Sequence, residues 1–133
     1  MYDITWKMAI RPRRGLSIKR KFIFPTREVI RVVDGDTYVL MLDTGFNSYR
    51  KIELRLDGID THEIHGDNHE LAVKEKEFVE DFFNNAEELY VTTKERLPEQ
   101  GSFNRWLGDI ENGKLEDLGS LLRQEFENID YGG

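Results

Sequence analysis

Between residues 32 and 63 the chain reads as apolar segments cut by two acidic turns, and few folds accept that pattern. The most constraining part is residues 49–56. Ile52, Leu54 and Leu56 alternate there with Lys51, Glu53 and Arg55. Side chains of a strand point alternately to opposite faces, so this period-two pattern predicts a half-buried strand. Residues 28–33 (Glu-Val-Ile-Arg-Val-Val) and 37–42 (Thr-Tyr-Val-Leu-Met-Leu) are rich in β-branched and apolar types and predict two more strands. Asp34-Gly35-Asp36 breaks the first from the second. Asp43-Thr44-Gly45-Phe46-Asn47-Ser48 supplies a hairpin loop before the third. Three strands joined by short turns form a meander.

The pattern then changes period. Over residues 70–84, Leu71, Ala72, Phe78, Val79, Phe82 and Phe83 recur at helical spacing, with Lys74, Glu75, Lys76, Glu77, Glu80 and Asp81 assigned to the opposite, solvent face. Residues 87–94 and 105–110 predict a fourth and fifth strand. Residues 115–129 predict a second helix, with Leu115, Leu118, Leu122 and Phe126 on one face. The order is three strands, a helix, two strands, a helix. It suits a mainly β, α+β domain: a five-stranded OB-fold-type barrel with a helix after strand three and a C-terminal helix.

The 133 residues suffice for one domain with a sizeable core. Absence of cysteine excludes disulfides, thiolate metal sites and a thiol nucleophile. The sequence has neither an apolar run long enough to span a bilayer nor a signal-peptide pattern at its start, so the expected setting is soluble and cytoplasmic, with no membrane partner. The net charge of −7 is unevenly spread. Residues 1–31 hold nine Lys/Arg against Asp3 and Glu28; the rest of the chain is strongly acidic. Residues 1–26 therefore read as a basic arm or hairpin, distinct from a domain over 27–133. Arg11, Arg13 and Arg14, around the Pro12–Gly15 turn, are its candidate contacts to a polyanion.

Each acidic turn alone is ordinary turn chemistry. Their pairing is what matters. In a meander the start of the second strand lies beside the end of the third, so Asp36 and Asp60 should converge. Two carboxylates held together repel unless a cation sits between them, and hard cations take oxygen ligands. Arg55, on the polar face of its strand, has the planar donor fork that suits a phosphate. Glu63 is a candidate base, and Arg105 a second clamp. His62, His65 and His69 lie in one loop region, but His62-Glu63-Ile64-His65 falls one residue short of the zinc-protease helix spacing, so they read as solvent-exposed loop histidines.

These residues resemble the staphylococcal nuclease (thermonuclease-like) family. The resemblance runs over roughly residues 27–131. It rests on Val33-Asp34-Gly35-Asp36-Thr37, on Arg55-Leu56-Asp57-Gly58-Ile59-Asp60-Thr61-His62-Glu63 and on Asn104-Arg105-Trp106-Leu107, with weaker similarity at Gly113-Lys114 and Leu121-Leu122-Arg123-Gln124. It implies a Ca²⁺-dependent endonuclease acting on DNA and/or RNA. Asp36 and Asp60 match the metal carboxylates, and Thr61 the residue offering a backbone carbonyl. Arg55 and Arg105 match the catalytic arginines, and Glu63 the catalytic glutamate. Phe103 stands where an aromatic contacts the nucleotide, and Tyr131 is a further candidate substrate contact. The alternative on the same fold is a non-catalytic nucleic-acid-binding or assembly module. Several departures accompany the likeness. His62 replaces a proline, which predicts a looser loop. Ser102 replaces a lysine, the loop after Glu63 is shorter, and the family's third helix has no counterpart before the chain ends near Tyr131. Residues 1–26 have no counterpart either, and the arm is expected to supply the missing phosphate contacts.

Overall fold

The computed structural model describes residues 22–100, 103–127 and 129. Strands β1 (Phe22–Asp34), β2 (Thr37–Gly45) and β3 (Ser48–Leu56) form the expected antiparallel meander. Helix α1 (His69–Asn85) follows, then β4 (Leu89–Gln100), β5 (Phe103–Asn112) and helix α2 (Leu118–Glu125). The strands close into a barrel in the order β1-β2-β3-β5-β4. β3 runs parallel to β5, and β4 returns antiparallel to β1. This is the α+β, OB-type arrangement that the order of elements implied: closure removes the sheet edges.

The alternating residues of β3 behave as their period requires. Ile52, Leu54 and Leu56 are buried, while Glu53 and Arg55 lie on the outer face, half-buried. Inside, they meet Tyr38 and Leu40 from β2, Val91 from β4 and Ile110 from β5. Gly108 is required by that closure. A Cβ there would stand 2.3 Å from the Thr92 carbonyl oxygen across the β4–β5 ladder.

Element ends differ from the sequence expectation for identifiable reasons. β1 starts at Phe22 and passes through Pro25. Pro25 is tolerated because it is the last β1 residue paired with β4, opposite Tyr90; Thr26 is the first paired with β2, and an irregularity follows it. β4 continues to Gln100 through residues expected to form a loop, because β5 begins at Phe103 and pairs back on it. α2 is shorter than residues 115–129. Leu115 is exposed with φ +64°, and the helix starts only after Asp117, whose side chain accepts from Ser120 N at 3.0 Å. Leu118 and Leu122 do face the core. Ile129 is buried beyond the helix, and its carbonyl accepts from Asp60 N at 2.6 Å. Among the described residues no helix is long and apolar enough to cross a membrane.

Candidate active site

The two acidic turns meet at one end of the barrel. Thr37 at the start of β2 pairs with Arg55 near the end of β3, and the ladder continues as Leu56 N donates to the Asp36 carbonyl at 2.8 Å. The β1–β2 turn is held from inside: the buried Tyr38 hydroxyl donates to the Gly35 carbonyl at 2.6 Å. Asp34 accepts from Asp36 N at 3.1 Å across the same turn. Asp36 is almost fully buried. Its Oδ1 accepts from the Thr37 hydroxyl at 2.8 Å and its Oδ2 from Thr61 N at 3.0 Å. The 34–36 turn and the 60–63 loop are thereby joined directly. Their approach is close enough that a Cβ on Gly35 would lie 2.8 Å from Thr61 Cγ2.

Arg55 sits between the two carboxylates. Its guanidinium is 3.5 Å from Asp36 Oδ2 and 3.4 Å from Asp60 Oδ1. Asp36 and Asp60 therefore gather around one positive group, as their placement in the meander predicted. Asp34 adds to the crowding. Burial, and then the adjacent Asp36 carboxylate, push its pKa up to about 7.

The donor set fits a hard divalent cation. It consists of carboxylate oxygens from Asp36 and Asp60 beside Thr61, in a chain that has no cysteine thiolate to offer. The Thr61 hydroxyl oxygen is buried without a hydrogen-bond partner, on the side of its loop that packs against Gly35.

The second arginine reaches the same region by the parallel β3–β5 pairing. Arg105 lies opposite Glu53, and its Nε donates to Glu53 Oε2 at 2.5 Å. Its Nη1 also approaches the Pro98 carbonyl at 3.5 Å. Arg55 and Arg105 line one cavity of about 450 Å³ with Asp57, Leu97 and Leu107. Glu63 is exposed, two residues past Thr61, and its carbonyl accepts from Gly66 N at 3.0 Å. Phe103 opens β5, its backbone pairing with Gln100. Tyr131, Arg11, Arg13 and Arg14 lie outside the described residues.

Two residues were read differently from sequence. Glu75, assigned to the solvent face of α1, is completely buried. His62, expected to loosen its loop, is tied down: its backbone N donates to Glu75 Oε1 at 2.9 Å and its Nδ1 lies 3.0 Å from the same oxygen. His69 Nδ1 likewise meets the Ile64 carbonyl at 2.6 Å. The spacing itself held the signal for Glu75, because position 75 falls three after Ala72 and four before Val79 on one helix face. Lys94, unremarked in sequence, bridges Asp57 at 2.7 Å and Asp109 at 2.9 Å beside the cavity. Compared with protein-family models and with curated proteins, the chain matches none.

Proposed function

We propose that this protein is a metal-dependent phosphodiesterase, a Ca²⁺-dependent endonuclease of DNA and/or RNA, working at the barrel end where the acidic turns meet. One observation carries the reading: Arg55 lies within 3.5 Å of Asp36 and Asp60, with Thr61 bonded to the same Asp36. An arrangement that serves only as a turn has no need of two carboxylates from separate loops converging on a guanidinium.

The residues divide the work by their chemistry. Asp36 and Asp60, with Thr61, would hold the calcium ion, which when bound supplies positive charge to the phosphate oxygens. Arg55 would exchange its carboxylate partners for phosphate oxygens, presenting paired N–H donors where charge accumulates. Arg105 would do the same from the neighbouring strand β5, with Glu53 holding its guanidinium in the absence of substrate. Glu63, exposed to water on the loop that carries Asp60 and Thr61, would orient the attacking water or take its proton.

The test is incubation of the purified full chain with single-stranded DNA in calcium and again in chelator. Cleavage that requires calcium and is lost in Glu63→Gln supports the reading. Binding without cleavage in calcium would replace it with the non-catalytic module.

A further inference from the structure

The barrel has a second end, and its chemistry differs from the first. Asp34, Thr37 and Arg55 sit where β1 ends, β2 starts and β3 ends. Phe22 and Phe24, Leu42 and Thr44, and Arg50 sit at the other extremes of those strands. These last residues, with Lys94 and Trp106, line a cleft of about 290 Å³. That is near the small end of ligand pockets, roughly 300–1,000 Å³. Its walls are aromatic. Phe22 and Phe24 stack with ring centroids 6.2 Å apart and planes 13° from parallel, and Phe22 leaves 60 % of its surface open. An exposed ring face presented in this way is a platform for another flat ring.

The rim is basic. Arg50 and Lys51 are exposed at the start of β3. Arg27 reaches across from β1 to lie 6.0 Å over the Tyr49 ring, itself half-exposed. Aromatic faces interleaved with guanidinium and ammonium groups are complementary to a ligand that alternates flat rings with negative charges, which is single-stranded nucleic acid.

We propose that this mouth of the barrel binds single-stranded nucleic acid, stacking a base on the open face of Phe22 in the cleft that Trp106 also lines, and placing a phosphate against Arg50. The cleft lies at the opposite strand ends from Asp36 and Asp60 and meets the second acidic turn through Lys94, which lines it and bridges Asp57 and Asp109; binding there needs no calcium, so it is tested apart from the catalytic reading.

The experiment uses the full chain carrying Trp6→Phe, which makes Trp106 the one tryptophan, in chelator so that no cleavage intervenes. Oligothymidylate of about 12 nucleotides, within the site sizes such barrels cover, is titrated while Trp106 emission is followed. Saturable quenching is expected. Phe22→Ala, at an exposed position that leaves the fold intact, should weaken binding by roughly tenfold, the worth of one stacked base. Arg50→Gln should lower the slope of log affinity against log salt by about 0.7, the share of one phosphate on a single strand. Unaltered Trp106 emission on binding, or unaltered affinity in Phe22→Ala, would overturn the proposal. Shielding of Trp106 from acrylamide in the free chain would also overturn it, because the chain would then fill the cleft itself.

Discussion

Glu75, wholly buried on α1, is tied to both the backbone N and the ring Nδ1 of His62. His62 stands between Thr61 and Glu63, so a helix on the flank of the barrel fixes the loop that bears the candidate metal and water groups. A buried carboxylate is tolerated only where donors satisfy it, and here the donors belong to the loop it restrains.

Removing that carboxylate should therefore disturb the loop and the fold together. Glu75→Leu leaves the His62 N–H unsatisfied, at a cost of about 1–3 kcal/mol in thermal or denaturant unfolding. Glu75→Gln keeps an acceptor oxygen and should cost less. If the loop is misplaced by ~1 Å, cleavage should fall by about 10²-fold in Glu75→Leu, with Glu75→Gln largely rescued. Equal cleavage by wild type and Glu75→Leu would show that the tether does not position the site.

Arg55 and a bound cation would compete for the same two carboxylates. Arg55→Gln removes the competitor, so calcium affinity measured by titration should rise while the rate falls by roughly 10²–10³. Without calcium the variant should be less stable than wild type, because Asp36 and Asp60 then face each other with less positive charge between them. Weaker calcium binding in Arg55→Gln would mean that Asp36 and Asp60 are not the ligands.

Much of this geometry could be read from the chain alone. The alternation of Ile52, Leu54 and Leu56 against Glu53 and Arg55 dictates which side of β3 is core, and the short turns dictate the meander. Together they bring Asp36 near Asp60. What escaped were features set by tertiary contact. Pro25 looks like a strand end unless the barrel closes there with a change of partner. Leu115 has the helical spacing but adopts positive φ before the Asp117 cap. Glu75 was sorted by polarity onto the solvent face, although its angle on the helix matches Ala72 and Val79. A charged residue at a core angle needs a partner, and the partner lay thirteen residues upstream in a loop.

Gly35 is the point where the two acidic turns touch. In Gly35→Ala the new methyl meets Thr61 Cγ2 at 2.8 Å and Oγ1 at 2.9 Å, so Thr61 or the turn must shift. Overpacking of this kind costs typically 1–3 kcal/mol. The Thr61 N–H···Asp36 bond, 3.0 Å long, should lengthen, and calcium affinity should drop. Thr61→Ser keeps the hydroxyl while deleting the methyl that clashes. Combined with Gly35→Ala, it should recover part of the lost stability. A double variant no more stable than Gly35→Ala would place the clash elsewhere.

Tyr38 links the turn to the alkaline limit of the fold. Its hydroxyl is buried and donates to the Gly35 carbonyl; burial first, then the Asp36 and Asp34 carboxylates, hold its pKa well above 10. In the unfolded chain a tyrosine ionises near 10, so above that pH the unfolded state has lost a proton that the folded state keeps. The sign follows: stability linked to Tyr38 is intact below about pH 10 and declines as pH rises beyond it. Tyr38→Phe cannot ionise and escapes that decline, but it loses the hydrogen bond to Gly35, worth about 1 kcal/mol, at every pH. Wild type should thus be the more stable protein at pH 7, and the gap should close as denaturant unfolding is repeated above pH 10. A gap that stays constant with pH would mean that Tyr38 titrates in the folded protein as it does in the unfolded one.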